Sequence, residues 1–166
     1  NNRSMIIHPH NETNAHIKFF GYTKGVLDEL KNGLSLNPLD NAYIETKEHL
    51  RKSYDILKSK NAPKDLPDFD EELINNIEYA ANNTLLLEFN ARVNRIDEVN
   101  WDDEYSVILV GGVGLERGYT VKGLTVSYLS RSAGGKQKDT LLQRARFFGY
   151  HEKYKDYIQI YLQKDM

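Results

Sequence analysis

Along this chain the spacing of apolar positions changes twice, and each change marks a different kind of element. Residues 4–8 (SMIIH) form a short apolar run closed by Pro9 and Asn11, the pattern of a buried strand. The period then lengthens to that of a helix: Ala15, Phe19, Tyr22, Val26 and Leu30 share one face, and Gly33 is the expected stop. Asn37 before Pro38 reads as an N-cap with a first-turn proline. It opens a helix to about residue 60 that aligns Tyr43, Leu50, Tyr54 and Leu57. After the linker NAPKDLPD, Asp68 stands where it would cap a third helix carrying Leu73, Ile74, Ile77 and Ala81.

From residue 85 the period shortens again. Residues 85–89 (LLLEF), 105–110 (YSVILV), 124–129 (LTVSYL) and 157–162 (YIQIYL) read as strands, with a helical stretch over 139–148 between the last two. Strands that are nearly all apolar and alternate with helices predict an α/β fold with a mainly parallel sheet of about five strands, covered on both faces. The two middle helices, within residues 34–83, are expected to be a helical insertion between the first and second strands of a single domain over 1–166.

Composition changes this picture little. The chain has 166 residues, enough for one domain with a sizeable core. It contains no cysteine, which excludes a disulfide scaffold and thiolate metal sites and fits a reducing, cytoplasmic setting. No apolar run approaches the roughly 20 residues of a membrane-spanning helix, so no membrane association is expected. The chain opens on Asn1 and enters a strand almost at once, the pattern expected of a fragment of a longer protein.

Charge is more informative in its distribution than in its sum. Between Asp65 and Glu104 the only basic residues are Arg92 and Arg95. From Arg117 to Lys155 the balance reverses, with only Asp139 and Glu152 set against Lys122, Arg131, Lys136, Lys138, Arg144, Arg146 and Lys153. A basic stretch of this kind suits an anionic partner, and two solvated faces of opposite charge are the plainer alternative.

Four motifs invite chemistry. In HPHNETNAH, His8 and His10 have the spacing of paired metal ligands, with His16 nearby, but only His49 and His151 remain elsewhere, and no carboxylate cluster completes a site. In NPLDNAYIETK, Asp40 and Glu45 imitate a nuclease carboxylate pair, yet at about 100° per residue a helix turns them to opposite sides. No metal site is therefore expected. Gly112-Val113-Gly114 follows a strand, but arginine occupies position 117, where a dinucleotide-binding loop has its third glycine. A further strand begins by Leu124, where that loop would enter a helix, and no G-x-x-x-x-G-K-[ST] loop occurs anywhere. The chain has no nucleotide cradle of its own. Finally, DTLLQRARFFGYHEKY (139–154) sets Gln143, Arg144 and Arg146 beside an apolar face of Leu141, Leu142, Ala145 and Phe148. Paired guanidinium groups suit phosphate or carboxylate, and solvated surface arginines are the alternative.

The last two motifs in order resemble the second RecA-like domain of superfamily-two helicases and DNA translocases. GLERGYTVKGLTVSYL (114–129) is similar to helicase motif V, and QRARFFGY (143–150) to motif VI, the arginine-finger helix. More closely, G-G-x-x-L-x-R-G-x-T-x-x-G-L-T-V-S-Y and D-T-L-x-Q-x-x-R-x-F-G-Y together resemble the Z-one domain, a helicase-associated family linked to restriction endonucleases and bacterial defence. The likeness runs through residues 107–161 and covers the opening strand and helix, but is weak in the insertion.

The resemblance implies a RecA-like three-layer sandwich serving as the C-terminal lobe of an ATP-dependent motor. It implies ATP and Mg²⁺ in the full-length protein, held by an N-terminal P-loop lobe of the same protein, with DNA as a further partner. Gly114, Glu116, Arg117, Gly118 and Thr120 would form a loop close to nucleotide and DNA backbone, with Thr125 helping Thr120 to hold it. Gln143 and Arg146 would face the ATP phosphates. Arg146 is the first choice of finger and Arg144 the second; the stretch departs from the usual Q-x-x-G-R-x-G-R, its spacing being shorter by one with Tyr150 near the last arginine. Arg131, Lys136 and Lys138 are nucleic-acid-binding candidates. The alternative from another class is a non-catalytic nucleic-acid-binding or protein-docking module on a degenerate RecA-like fold.

Overall fold

Apolar strands must find a partner for every backbone N–H and C=O they bury. In the computed structural model of this chain, which describes residues 3–9, 12–59, 66–89, 99–111, 121–130 and 157–162, they find it in one another. Strands β1 (Arg3–His8), β2 (Thr84–Phe89), β3 (Ser106–Gly111), β4 (Leu124–Leu129) and β5 (Gln159–Leu162) make one sheet in the order β2-β3-β1-β4-β5. Every neighbouring pair is parallel. The α/β class and the five-stranded parallel sheet read from the sequence are those observed, and the arrangement is consistent with a RecA-like sandwich.

β1, first in the chain, lies at the centre. It pairs with β3 from Arg3↔Ser106 to Ile7↔Val110 and with β4 on its other side. The β1–β4 register slips once: Ser4 stands opposite Leu124, but Met5 stands opposite Val126, so Thr125 is an extra residue in β4. Strict alternation in LTVSYL would put Leu124, Val126 and Tyr128 on one face. The extra residue instead brings Ser127 opposite Ile6 and Tyr128 opposite Ile7.

Ile6, Phe89, Val99, Val107, Leu109, Val121 and Leu124 form the buried core against this sheet, with Leu85, Leu87, Trp101 and Ile158 packed around it. Tyr128 meets the Phe19 ring, with centroids 6.2 Å apart.

The chain divides into two compact units. The first holds β1, the beginning of helix α1 (Thr13–Leu34) and β2 to β5; the second is Thr23–Asn83. Within the second, the rest of α1, α2 (Asn41–Ser59), a π-helical turn (Phe69–Leu73) and α3 (Ile74–Asn82) enclose Leu34, Tyr54, Phe69 and Ile74. The Tyr54 and Phe69 rings lie 5.4 Å apart, and the Tyr54 hydroxyl donates to the Pro67 carbonyl at 2.8 Å. Asp68 caps the π-helical turn as expected, accepting from the Asp70 and Glu71 amides.

Three local expectations change. Gly33 does not end α1, which runs to Leu34. The glycine instead lets α2 approach, since a Cβ there would lie 2.1 Å from Thr46 Oγ1. Tyr22 and Val26 do not share the buried face of Leu30: they are 57% and 67% exposed, because the residues that α1 buries change along its length. Pro38 lies in a turn ahead of α2. There the Asn37 side chain accepts from the Leu39 amide, and the Asp40 carbonyl accepts the first helical bond, from Ile44.

Candidate functional site

In a parallel sheet every strand releases its following loop at the same edge. The chain leaving β1 goes to β2, beyond β3, whereas the chain leaving β4 goes the other way, to β5. The direction of the connections therefore reverses between β1 and β4, and in open α/β sheets ligands bind outside the carboxyl ends of strands at such a reversal. At that point His8 pairs with Leu129. The Ser130 amide donates to the His8 carbonyl at 3.3 Å, and the Ser130 hydroxyl donates to the Pro9 carbonyl at 2.6 Å. His8 is buried, as is His16 on α1. The sequence pattern does not mark Ser130, whose hydroxyl finds its partner only across the sheet in β1's exit.

At the opposite edge, residues 121–123 lead into β4. Val121 is buried, Gly123 has φ 68°, and both the backbone and the side chain of Ser4 engage this segment. The Ser4 amide donates to the Gly123 carbonyl at 2.9 Å, and its hydroxyl donates to the Lys122 carbonyl at 2.7 Å. Thr125, expected to steady the neighbouring loop, directs its hydroxyl to the Ser4 carbonyl at 3.4 Å. Lys122 also pairs with Asp102 at 3.0 Å, an exposed contact.

The other candidates from the sequence, Gly114, Glu116, Arg117, Gly118, Thr120, Arg131, Lys136, Lys138, Gln143, Arg144 and Arg146, lie outside the described residues. Their attachment points do not: residues 112–120 follow the carboxyl end of β3, and residues 131–156 follow Ser130 at the carboxyl end of β4. Both segments therefore start from one edge of the sheet. Among the described residues, no group of three or more His, Asp or Glu side chains could hold a metal ion. No described helix is long and apolar enough to cross a membrane.

These features define a parallel α/β protein whose motif-bearing connections start beside a reversal in its strand order. The chain belongs to the Z1 domain family, whose model matches residues 1–166. No curated protein and no solved structure matches it.

Proposed function

We propose that this chain is the second motor lobe of an ATP-dependent helicase-like or translocase-like protein in a bacterial restriction or defence system. It supplies arginines to ATP that a partner lobe holds. The observation that carries the reading is the sheet order. It starts the connection bearing Arg117 and the connection bearing Arg144 and Arg146 from the same edge, on the two strands that flank β1. The absence of a P-loop from the sequence fits a lobe that completes a nucleotide site without forming one.

Phosphoryl transfer is catalysed mainly by positioning and by stabilising charge on the transferred group, the service an arginine can perform from a second lobe. ATP and Mg²⁺ belong to the P-loop lobe in this scheme, and DNA to the basic stretch between Arg117 and Lys155. In the full-length protein, Arg146→Ala should slow ATP hydrolysis by about a thousandfold while changing ATP affinity far less. Turnover close to normal would sink the reading. If ATPase is absent but the isolated chain binds DNA with an affinity that falls steeply with salt, the non-catalytic nucleic-acid-binding module replaces it.

A further inference from the structure

We infer that the groove between α1 and α2 is a docking site for a basic amphipathic helix of a protein partner, independently of the motor reading above. The two helices come together at Gly33 and Thr46. Beside that contact they leave a cavity of about 240 Å³ whose apolar lining is Val26, Leu30 and Leu50. Leu30 and Leu50 also pack against the buried cluster of Leu34, Tyr54, Phe69 and Ile74, so the floor of the groove is backed by a core. Its hydroxyls add little polarity. Thr46 and Ser53 donate into their own helix, to the Ala42 and His49 carbonyls at 2.8 and 3.2 Å. Val26 stands in this lining and is 67% exposed.

Size, length and charge select the occupant. Pockets for small molecules run from about 300 to 1,000 Å³, so this one suits an anchoring side chain better than a nucleotide. From Thr46 to Ser53 the α2 wall is about 10 Å long, which gives room for apolar anchors at i and i+4 of a docked helix. Charge decides the rest. Glu29 and His49 are the titratable groups of the lining, and both are exposed. Among the described residues Glu29 has no ion-pair partner, whereas its neighbour Asp28 is paired with Lys24. Acidic residues also outnumber basic ones across residues 23–83. A second copy of this chain would therefore bring like charges together here. A helix with a lysine or arginine one turn from its apolar anchor is complementary instead.

The test selects against the chain from a displayed library of helical peptides of about 15 residues, randomised on one face, and measures the enriched peptides by fluorescence anisotropy. Enriched sequences should pair an apolar residue with a lysine or arginine three or four positions away. Val26→Asp should weaken their binding about tenfold or more. The position is exposed, so the fold should survive the change. The new carboxylate adds attraction for a basic peptide, so the loss reports the apolar anchor. Glu29→Lys should turn the preference around, towards peptides in which glutamate replaces the basic residue. No enrichment, or enrichment of acidic or uncharged sequences, would overturn the proposal. So would binding that neither substitution alters. A dimer of the chain that Val26→Asp dissociates would put a second copy in the groove and overturn it as well.

Discussion

Gly25 and Gly33 lie on the same helix and meet opposite surroundings. A Cβ built on Gly25 has nothing within 4 Å, whereas one on Gly33 would meet Thr46 Oγ1 at 2.1 Å and Thr46 Cβ at 2.9 Å. Alanine is worth up to about 1 kcal/mol over glycine inside a helix. Gly25→Ala should therefore raise the thermal midpoint. Gly33→Ala gains the same propensity but overpacks a β-branched side chain, at a cost of about 1–3 kcal/mol, and should lower it. Adding Thr46→Ala to Gly33→Ala should recover only part of the loss, since the Cβ of residue 46 remains. Thermal unfolding of the variants decides the sign at each position. The sequence pattern reads Gly33 as a helix stop, and only the distance to α2 shows what its missing Cβ makes room for.

At the scale of elements, the join between α2 and the π-helical turn combines a cap with a charge cluster. Asp68→Ala removes the acceptor for the Asp70 and Glu71 amides and should cost about 1 kcal/mol. Asp70 meets Lys47 at 2.9 Å and also binds Arg51, whose guanidinium lies 4.1 Å from the Phe69 ring centroid. Hydrogen bonds from Lys47 first and Arg51 second hold the Asp70 carboxyl below its ordinary pKa. A depressed folded-state pKa gives stability that is complete above the unfolded value, near about 4. That stability is lost as pH falls through the lower folded value. Asp70→Asn should lower the thermal midpoint at pH 7, and the gap from the unaltered protein should narrow below about pH 4 and in high salt. A gap independent of pH would show that the charge is not what matters.

Much of the element plan is legible in the sequence. The apolar pattern places each of the five described strands within a residue or two of its observed ends, because buried parallel strands are short apolar runs with few competing patterns. The slip at Thr125 was not legible, since LTVSYL carries no glycine or other mark of a bulge. Nor was the partner of Ser4, which lies more than a hundred residues away in the chain. The candidate site is legible in the sequence only as motifs that follow two apolar strands; the strand ends, Gly111 and Leu129, come from the fold.

For the whole molecule, position in the sheet sets the order in which backbone bonds should open. β1 is hydrogen-bonded on both sides and mostly buried, while β5 has β4 as its partner and carries exposed Ile160, Tyr161 and Leu162. Amide hydrogen exchange should be slowest in β1 and β3 and fastest in β5. Comparable protection across all five strands would mean that the sheet opens only as one cooperative unit. The central place of the first strand also has a consequence in time. During synthesis β1 is made first, but its hydroxyl-to-carbonyl bond from Ser4 to Lys122 spans 118 positions. Both edges of β1 therefore wait for β3 and β4 before the sheet can close, while the helical unit Thr23–Asn83 already has its own core. Closure of the sheet carries the loop entropy of those long separations, so refolding should show the helices gaining structure before β1 is protected.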